Sequence, residues 1–274
     1  MKLLSWNTAA RSSRASDQVV FIVSRAPDIV ALQEVTPTSL SALQFRLREA
    51  GLSHQQHSLT AASASDKRRS GILVASRVPL ERLVPLNVPW PETVLSIQVR
   101  AHGGNMELHC AHVPPGSSNG WIKIKTLEGI YSGLARASSV PRVLCGDFNT
   151  PREETPTGEV VTWAQRITRS GAVVTRRRIR GGDAARWDQA ERSILLGLAD
   201  FDLPDVFRTL HGYGRQDYSW GLIRMGRQVG RRFDHVFASQ ALRAQRCEYL
   251  YEPRENRLSD HSPLEVGFSA IQPC

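Results

Sequence analysis

Gly146-Asp147-Phe148-Asn149-Thr150-Pro151 decides the reading of this chain, and Ser259-Asp260-His261-Ser262 completes it. The run Arg142-Val143-Leu144-Cys145 before the first stretch reads as a short buried strand, so Asp147 and Asn149 stand where a strand opens into a loop. Residues two apart on an extended backbone point the same way, so this carboxylate and amide can address one ligand. The second stretch sets an aspartate beside a histidine just before another strand, at 263–268. Carboxylate, amide and imidazole converging on one point suit metal-assisted attack of water on a phosphate ester.

Working outward, 274 residues with a hydrophobic fraction of 41% and a charged fraction of 22% suit one large soluble α/β layer structure. The longest apolar runs are strand-sized, which predicts no transmembrane helix. Met1-Lys2 leads straight into a strand pattern, without a signal-peptide layout. Cys110, Cys145, Cys247 and Cys274 are scattered and form no C-x-x-C pair, which argues against a zinc site or a disulfide framework. A reducing cytoplasm is the expected compartment.

Strand patterns fall at 2–7, 28–33, 71–76, 82–88, 93–99, 106–112, 143–146, 218–221, 233–238, 247–251 and 263–268. Helical spacing falls at 13–25, 38–50 and 120–137. Strands outnumber helices and often follow one another directly. The expectation is a single α/β domain over 1–270: a four-layer sandwich of two mixed sheets packed face to face and flanked by helices. Residues 158–198 are Arg-rich and poorly periodic in part, and are the best candidate for a variable insertion over the site.

Thirty-five basic residues against 26 acidic ones leave a net charge of +9 and a pI near 9.9. A generally Arg-rich proteome explains such an excess as well as a polyanionic partner does, but the clustering favours the partner. Lys67-Arg68-Arg69 precedes a strand, Arg176-Arg177-Arg178 and Arg180 precede Gly181-Gly182, and Arg224, Arg227, Arg231 and Arg232 approach another strand.

Several strand ends carry polar groups with competing local explanations. Asn7 alone reads as a turn residue. Glu34 suits a hard-metal ligand and a helix-capping role equally. His112 shares a strand face with Leu108 and Cys110, so a satisfied core histidine leads locally. Asp234, within Phe233-Asp234-His235-Val236-Phe237, needs a partner if buried, and His261 is the partner expected. Trp220 is more readily core than substrate platform. As a series, however, Trp6-Asn7, Gln33-Glu34, His112, Gly146-Asp147-Phe148-Asn149, Ser219-Trp220, Phe233-Asp234-His235 and Ser259-Asp260-His261 are hard to ascribe to chance.

That series resembles the endonuclease/exonuclease/phosphatase superfamily, which includes exonuclease III-type repair nucleases, DNase I-like nucleases and inositol polyphosphate phosphatases. The resemblance runs from position 3 to about 268. It implies Glu34 as chief ligand of a Mg²⁺ ion (or Mn²⁺), with Asn7 beside it and Asp260 close enough to contribute. It implies that Asp147 orients or deprotonates the attacking water, that Asn149 holds the scissile phosphate and positions Asp147, and that His261 donates to a phosphate oxygen with its ring fixed by Asp234. His112-Val113-Pro114-Pro115-Gly116 stands where exonuclease III-like enzymes have a tyrosine before a proline-containing turn. The histidine looks more like the DNase I and phosphatase branches, where it contacts phosphate or protonates the leaving group. Trp220 is similar to a tryptophan lining the nucleotide pocket of the repair branch.

The resemblance thus implies a Mg²⁺-dependent phosphodiester hydrolase acting on double-stranded DNA, as an abasic-site endonuclease or 3′-exonuclease. Direct water attack would leave 3′-hydroxyl and 5′-phosphate ends. Trp220, Arg68, Arg69, Arg176, Arg177 and Arg178 are the expected substrate contacts. A small-molecule phosphodiesterase or phosphomonoesterase is the alternative, and a non-catalytic DNA-binding relative a further one. A monomer without a membrane or an obligatory protein partner is expected.

Overall fold

A computed structural model of the chain describes residues 1–59, 70–101, 104–224 and 226–269; Lys67, Arg68 and Arg69 lie outside them, as do the side chains of Arg224 and Arg227. Strands β1 (Lys2–Asn7), β2 (Ile29–Val35), β3 (His54–His57) and β4 (Gly71–Ser76) form half of the framework, with helices α1 (Ala15–Ser24) and α2 (Pro37–Glu49). Strands β5 (Leu80–Arg82), β6 (Val94–Ala101), β7 (Gly104–His112) and β8 (Arg142–Asp147), with helix α3 (Trp121–Leu134), begin the other half. Helices α4 (Ala184–Leu195) and α5 (Val206–His211) follow, then strands β9 (Trp220–Arg224), β10 (Arg227–Arg231), β11 (Asp234–Ala238), β12 (Ala244–Tyr249) and β13 (Leu264–Phe268).

Two mixed sheets result, with strand orders β12-β13-β1-β2-β4-β3 and β11-β8-β7-β6-β5. Alternation along each strand explains the four layers. Leu3, Ile29, Ala31, Ile72 and Val74 of the first sheet pack against Leu95, Ile97, Leu108, Cys110, Val143 and Cys145 of the second. The opposite face of the first sheet, with Leu4, Trp6, Val30, Leu32 and Leu73, packs on Val19 and Ile22 of α1 and Leu43 and Leu47 of α2. The outer face of the second, with Ala111, Leu144 and Phe237, is covered by Ile124, Leu127 and Ile130 of α3 and Trp187 and Ile194 of α4. Strands buried on both faces need continuous apolar runs, which is why Val30-Ala31-Leu32 and Val143-Leu144-Cys145 read as they do.

Each sheet holds one parallel pair, and these pairs set the site. Asn7 of β1 lies opposite Gln33 of β2, and His112 of β7 lies opposite Asp147 of β8, so two crossovers deliver their strand ends to the same rim. Gly146 makes the second close approach possible: its φ is +132°, and a Cβ there would stand 1.9 Å from the Ala111 carbonyl oxygen.

Three sequence expectations shift. The strand predicted at 82–88 is instead β5, with no strand at 83–88. The strand predicted at 218–221 begins at Trp220 and runs out into the β9–β10 hairpin. The segment at 158–198 is built rather than irregular. Gln165–Ile167 pairs with Val173–Thr175, and α4, capped by the Asp183 side chain, buries Trp187, Ala190, Glu191, Ile194 and Leu195. Trp187, Ala190, Ile194 and Leu195 keep helical spacing along α4, with Glu191 as the one charged group on the buried face.

Candidate active site

Four strand ends meet at Asp147. The carboxylate is buried at the end of β8, and the backbone reverses immediately after it because Asn149 takes a φ of +52°. The reversal lets the Asn149 backbone N–H donate to Asp147 Oδ1 at 2.9 Å, an Asx turn closed within the motif. The Asn149 side-chain amide donates to the Val113 carbonyl at 3.0 Å and to Asp147 Oδ2 at 3.3 Å. Asn149 thus meets Asp147 through this reversal, not through the extended two-residue spacing expected from the sequence.

Glu34 reaches the same point through a bulge. The β2–β4 register slips between Leu32 and Val35, and Glu34 has a φ of +55°, which turns its carboxylate out of the strand and towards the rim. The neighbouring helix takes its cap elsewhere: Thr36 and Ser39 form a reciprocal capping box at the start of α2. Of the two roles open to Glu34 in the sequence, capping is therefore filled by Thr36.

Asn7 bridges the two acids. Its amide nitrogen donates to Glu34 Oε1 and to Asp147 Oδ2, each at 2.9 Å, while its oxygen accepts the Ala9 N–H at 2.9 Å. Asn7 therefore stands in the cluster with nitrogen, not oxygen, facing the carboxylates. His112 Nε2 lies 3.4 Å from Glu34 Oε1 and 3.9 Å from Asp147 Oδ2. It faces the acids at the rim, so the satisfied core histidine favoured by strand alternation is not what the fold builds.

On the opposite side His261 Nδ1 and Asp234 Oδ2 are 2.7 Å apart, and His261 Nε2 is 3.8 Å from Asp147 Oδ2. Asp234 itself is held by Ser219 Oγ, which accepts its backbone N–H at 3.1 Å, and by Tyr249, which donates to its carbonyl at 2.6 Å. Trp6 donates its indole N–H to the His261 carbonyl at 3.0 Å, tying the first sheet to the histidine loop. Asp260 points another way. It is exposed and accepts the Trp220 indole N–H at 3.2 Å. Trp220 in turn stacks on Phe233, with ring centroids 5.4 Å apart.

The electrostatics follow from this crowding. Burial raises the Asp147 carboxyl to about 6, although His261 pulls the other way. Burial alone would lower the His261 imidazole, but Asp234 and Asp147 outweigh it and push it up to about 10. The imidazole is therefore a cation at neutral pH. Among the described residues, two groups of side chains have ligand atoms within 4.8 Å of one another: Glu34, His112 and Asp147, and Asp147, Asp234 and His261. The first combines two carboxylates with one imidazole, a donor set able to hold a divalent cation.

Residues 4–261 match the Endonuclease/Exonuclease/phosphatase family. The chain belongs to that family. It is accordingly a hydrolase of phosphate ester bonds, in a family that depends on divalent metal. The fold is similar to that of an AP endonuclease from Archaeoglobus fulgidus, with a TM-score of 0.70 at 21% identity over 98% of this chain and 99% of that one. It is also similar to a humanized D. rerio TDP2, at TM-score 0.67 and 17% identity over 98% of both chains. An endonuclease/exonuclease/phosphatase from Beutenbergia cavernae has a TM-score of 0.63 at 18% identity over 98% of this chain and 71% of that one. No curated protein matches the sequence. At such identities the structural likeness establishes the fold alone, the two-sheet sandwich expected from the sequence.

Sequence reasoning missed the groups behind the site. Arg232, grouped above with surface arginines, is buried and donates to Glu154 Oε2 at 2.6 Å and Asp205 Oδ2 at 2.7 Å. Arg208 donates to Glu154 Oε2 at 2.7 Å, and His235 stands 3.1 Å from Asp205 and 2.9 Å from the Thr150 carbonyl. Single charges scattered over 154, 205, 208 and 232 carry no local signature, since only the fold assembles them. The same holds for Lys123 on α3 and Glu191 on α4, both fully buried and paired. Among the described residues no helix is long and apolar enough to cross a membrane.

Proposed function

We propose that the protein is a Mg²⁺-dependent phosphodiesterase that cleaves double-stranded DNA by direct attack of water, leaving 3′-hydroxyl and 5′-phosphate ends. The observation that carries this reading is the position of Asp147, shared between an acid-rich group and a cationic imidazole. A scissile phosphate lying between the two groups would meet both kinds of side chain it needs.

Glu34 is the principal ligand in this reading, with His112 and Asp147 facing the same space and Asn7 holding both carboxylates in place; Asp260 would join only by leaving Trp220. When bound there, a divalent cation neutralises charge on the phosphoryl oxygens. Asp147, raised towards neutrality, accepts a proton from water and aims its oxygen in line. Asn149 holds Asp147 through two hydrogen bonds, and its side-chain amide would reach the phosphate only by releasing Val113 or Asp147. The His261 imidazolium, fixed by Asp234, donates to a non-bridging oxygen through Nε2. His112, 3.4 Å from Glu34 and 3.9 Å from Asp147, is the group that would serve the leaving oxygen.

The insertion favours a polynucleotide over a small ester. Residues 160–182 contain six arginines and no acid. Arg166, Arg169, Arg176, Arg177, Arg178 and Arg180 are all exposed. The arm is rooted at the site: Arg152 donates to the Gln165 carbonyl at 2.8 Å, and the Trp163 indole donates to the Asn149 carbonyl at 3.0 Å. Arginines projecting from such a root can engage phosphates flanking the one that is cut. His112, which resembles the phosphatase branch, supports a second reading in which a small phosphate ester is the substrate.

Cleavage of a labelled duplex bearing one abasic-site analogue, beside its intact twin, with Mg²⁺ and then with chelator, tests the proposal. Selective Mg²⁺-dependent incision is expected. A folded protein that cuts neither duplex but hydrolyses a small phosphate ester would shift the assignment to the second reading.

A further inference from the structure

The loop that carries Asn149 is gripped from behind. Asn149 adopts a left-handed backbone conformation at φ +52°, which an asparagine tolerates at some cost and keeps only when its surroundings enforce it. Its carbonyl oxygen accepts two hydrogen bonds, from Lys123 Nζ at 3.0 Å and from the Trp163 indole N–H at 3.0 Å.

Both donors are fixed by one carboxylate. Glu191 accepts from Lys123 Nζ, from the Trp187 indole at 2.9 Å and, through its second oxygen, from the Trp163 backbone N–H at 2.8 Å. Lys123 and Glu191 have side-chain exposures of 1% and 0%. Burying an ion pair is expensive relative to an apolar pair of the same shape, and so calls for an explanation beyond stability. A hydrophobic pair could join α3 to α4 equally well; it could not hold a carbonyl.

We propose that Lys123, set by Glu191 and assisted by Trp163, is a positioning residue that holds the Asn149 carbonyl and so fixes Asp147 in its reactive orientation. The inference rests on the reading of Asp147 and Asn149 given above. The linkage is short. Lys123 and Trp163 hold the Asn149 carbonyl, and the Asn149 backbone N–H and side-chain amide both hold Asp147. Releasing the carbonyl lets the peptide relax from its left-handed conformation, which withdraws both donors from Asp147 together. The insertion then has a role inside the site as well as outside it, because Trp163 and Glu191 both belong to it.

The test combines two readouts on Lys123→Met, which keeps length and burial but removes the charge. Hydrogen exchange reports the loop without any assumption about substrate: the Asn149 amide, bonded to Asp147, is expected to exchange at least about tenfold faster while amides within α3 and α4 keep their protection. Hydrolysis of bis(p-nitrophenyl) phosphate with Mg²⁺ or Mn²⁺ reports the chemistry. There kcat is expected to fall about 10- to 100-fold with KM unchanged, the scale that small misplacements produce. The fall should be smaller when the same change is made in Asn149→Ala, which has already lost the side-chain link to Asp147 but keeps the backbone one.

An unchanged Asn149 amide and unchanged kcat in folded Lys123→Met overturn the proposal, as does a loss fully additive with Asn149→Ala. Should Lys123→Met not fold, Trp163→Phe removes only an indole donor. It is expected to move both readouts in the same direction by about threefold or more, and no movement overturns the proposal. A wild-type protein that hydrolyses no phosphate ester defeats the functional reading, while the exchange measurement still decides whether Lys123 holds the loop.

Discussion

His261 and Asp234 stand 2.7 Å apart, Nδ1 to Oδ2, and this contact fixes which face of the imidazole looks at Asp147. With Nδ1 committed to Asp234, Nε2 is the nitrogen left for a phosphate oxygen, and the aspartate keeps the ring charged. Asp234→Asn should leave the fold intact and lower kcat about 10- to 100-fold, the usual effect of removing a group that orients a catalytic side chain. Steady-state kinetics with a melting curve on the same sample checks this. An undiminished kcat would remove Asp234 from the mechanism.

Asp147→Asn keeps shape and removes the proposed base. Turnover is expected to drop by about 10²- to 10⁴-fold, with DNA affinity, measured by fluorescence anisotropy, within about twofold of wild type. Binding that falls in step with turnover would show that the residue serves affinity, not chemistry.

Glu34→Gln tests the metal assignment by two routes. The Mg²⁺ concentration for half-maximal activity should rise at least about tenfold. Mg²⁺ at 100 times its dissociation constant should stabilise the wild type by about 2.7 kcal/mol, seen as a rise in melting temperature that chelator abolishes and the variant lacks. Equal stabilisation of both proteins would place the ion elsewhere.

The arginine arm carries a salt signature. Replacing Arg176, Arg177 and Arg178 together by Ala should weaken duplex binding and reduce the slope of log affinity against log salt by about 0.9 for each phosphate no longer neutralised. Hydrolysis of bis(p-nitrophenyl) phosphate should stay unchanged. An unaltered slope would take the arm out of the footprint.

The buried network around Glu154 makes a prediction about acid stability. Although burial alone would raise it, Arg232 and Arg208 hold the Glu154 carboxyl down to about 2, below an ordinary value of 4.5. A depressed folded-state value means the stabilisation is present above pH 4.5 and is lost as the pH falls towards 2. Glu154→Gln should therefore be less stable than wild type at neutral pH, by about 3–5 kcal/mol for breaking a buried pair. Urea midpoints of the two proteins should converge between pH 4.5 and 2. Parallel curves through that window would contradict this assignment.

Much of the molecule was legible without coordinates because its signals are local. Continuous apolar runs marked strands buried on both faces, and Gly146-Asp147-Phe148-Asn149 with Ser259-Asp260-His261 marked two strand-end loops rich in ligand atoms. Other features were legible only as alternatives. Strand alternation assigned His112 to the core face, yet β7 ends at the rim, and there the histidine meets Glu34 and Asp147. Glu34 was open to two roles until the bulge and the Thr36 cap separated them.

The sequence by itself determined the layer architecture and marked the polar strand ends that the fold brings together, since both depend on periodicity and short motifs along one stretch of chain. Tertiary structure decided the rest. It turned the Asn7 amide nitrogen to the acids, directed Asp260 to Trp220, sank Arg232 beside Glu154 and Asp205, and set Lys123 and Glu191 beneath Asn149. Each of these joins residues 26 or more positions apart. Pairings at such separations leave no periodic trace; they exist only where the fold brings two strands or helices together.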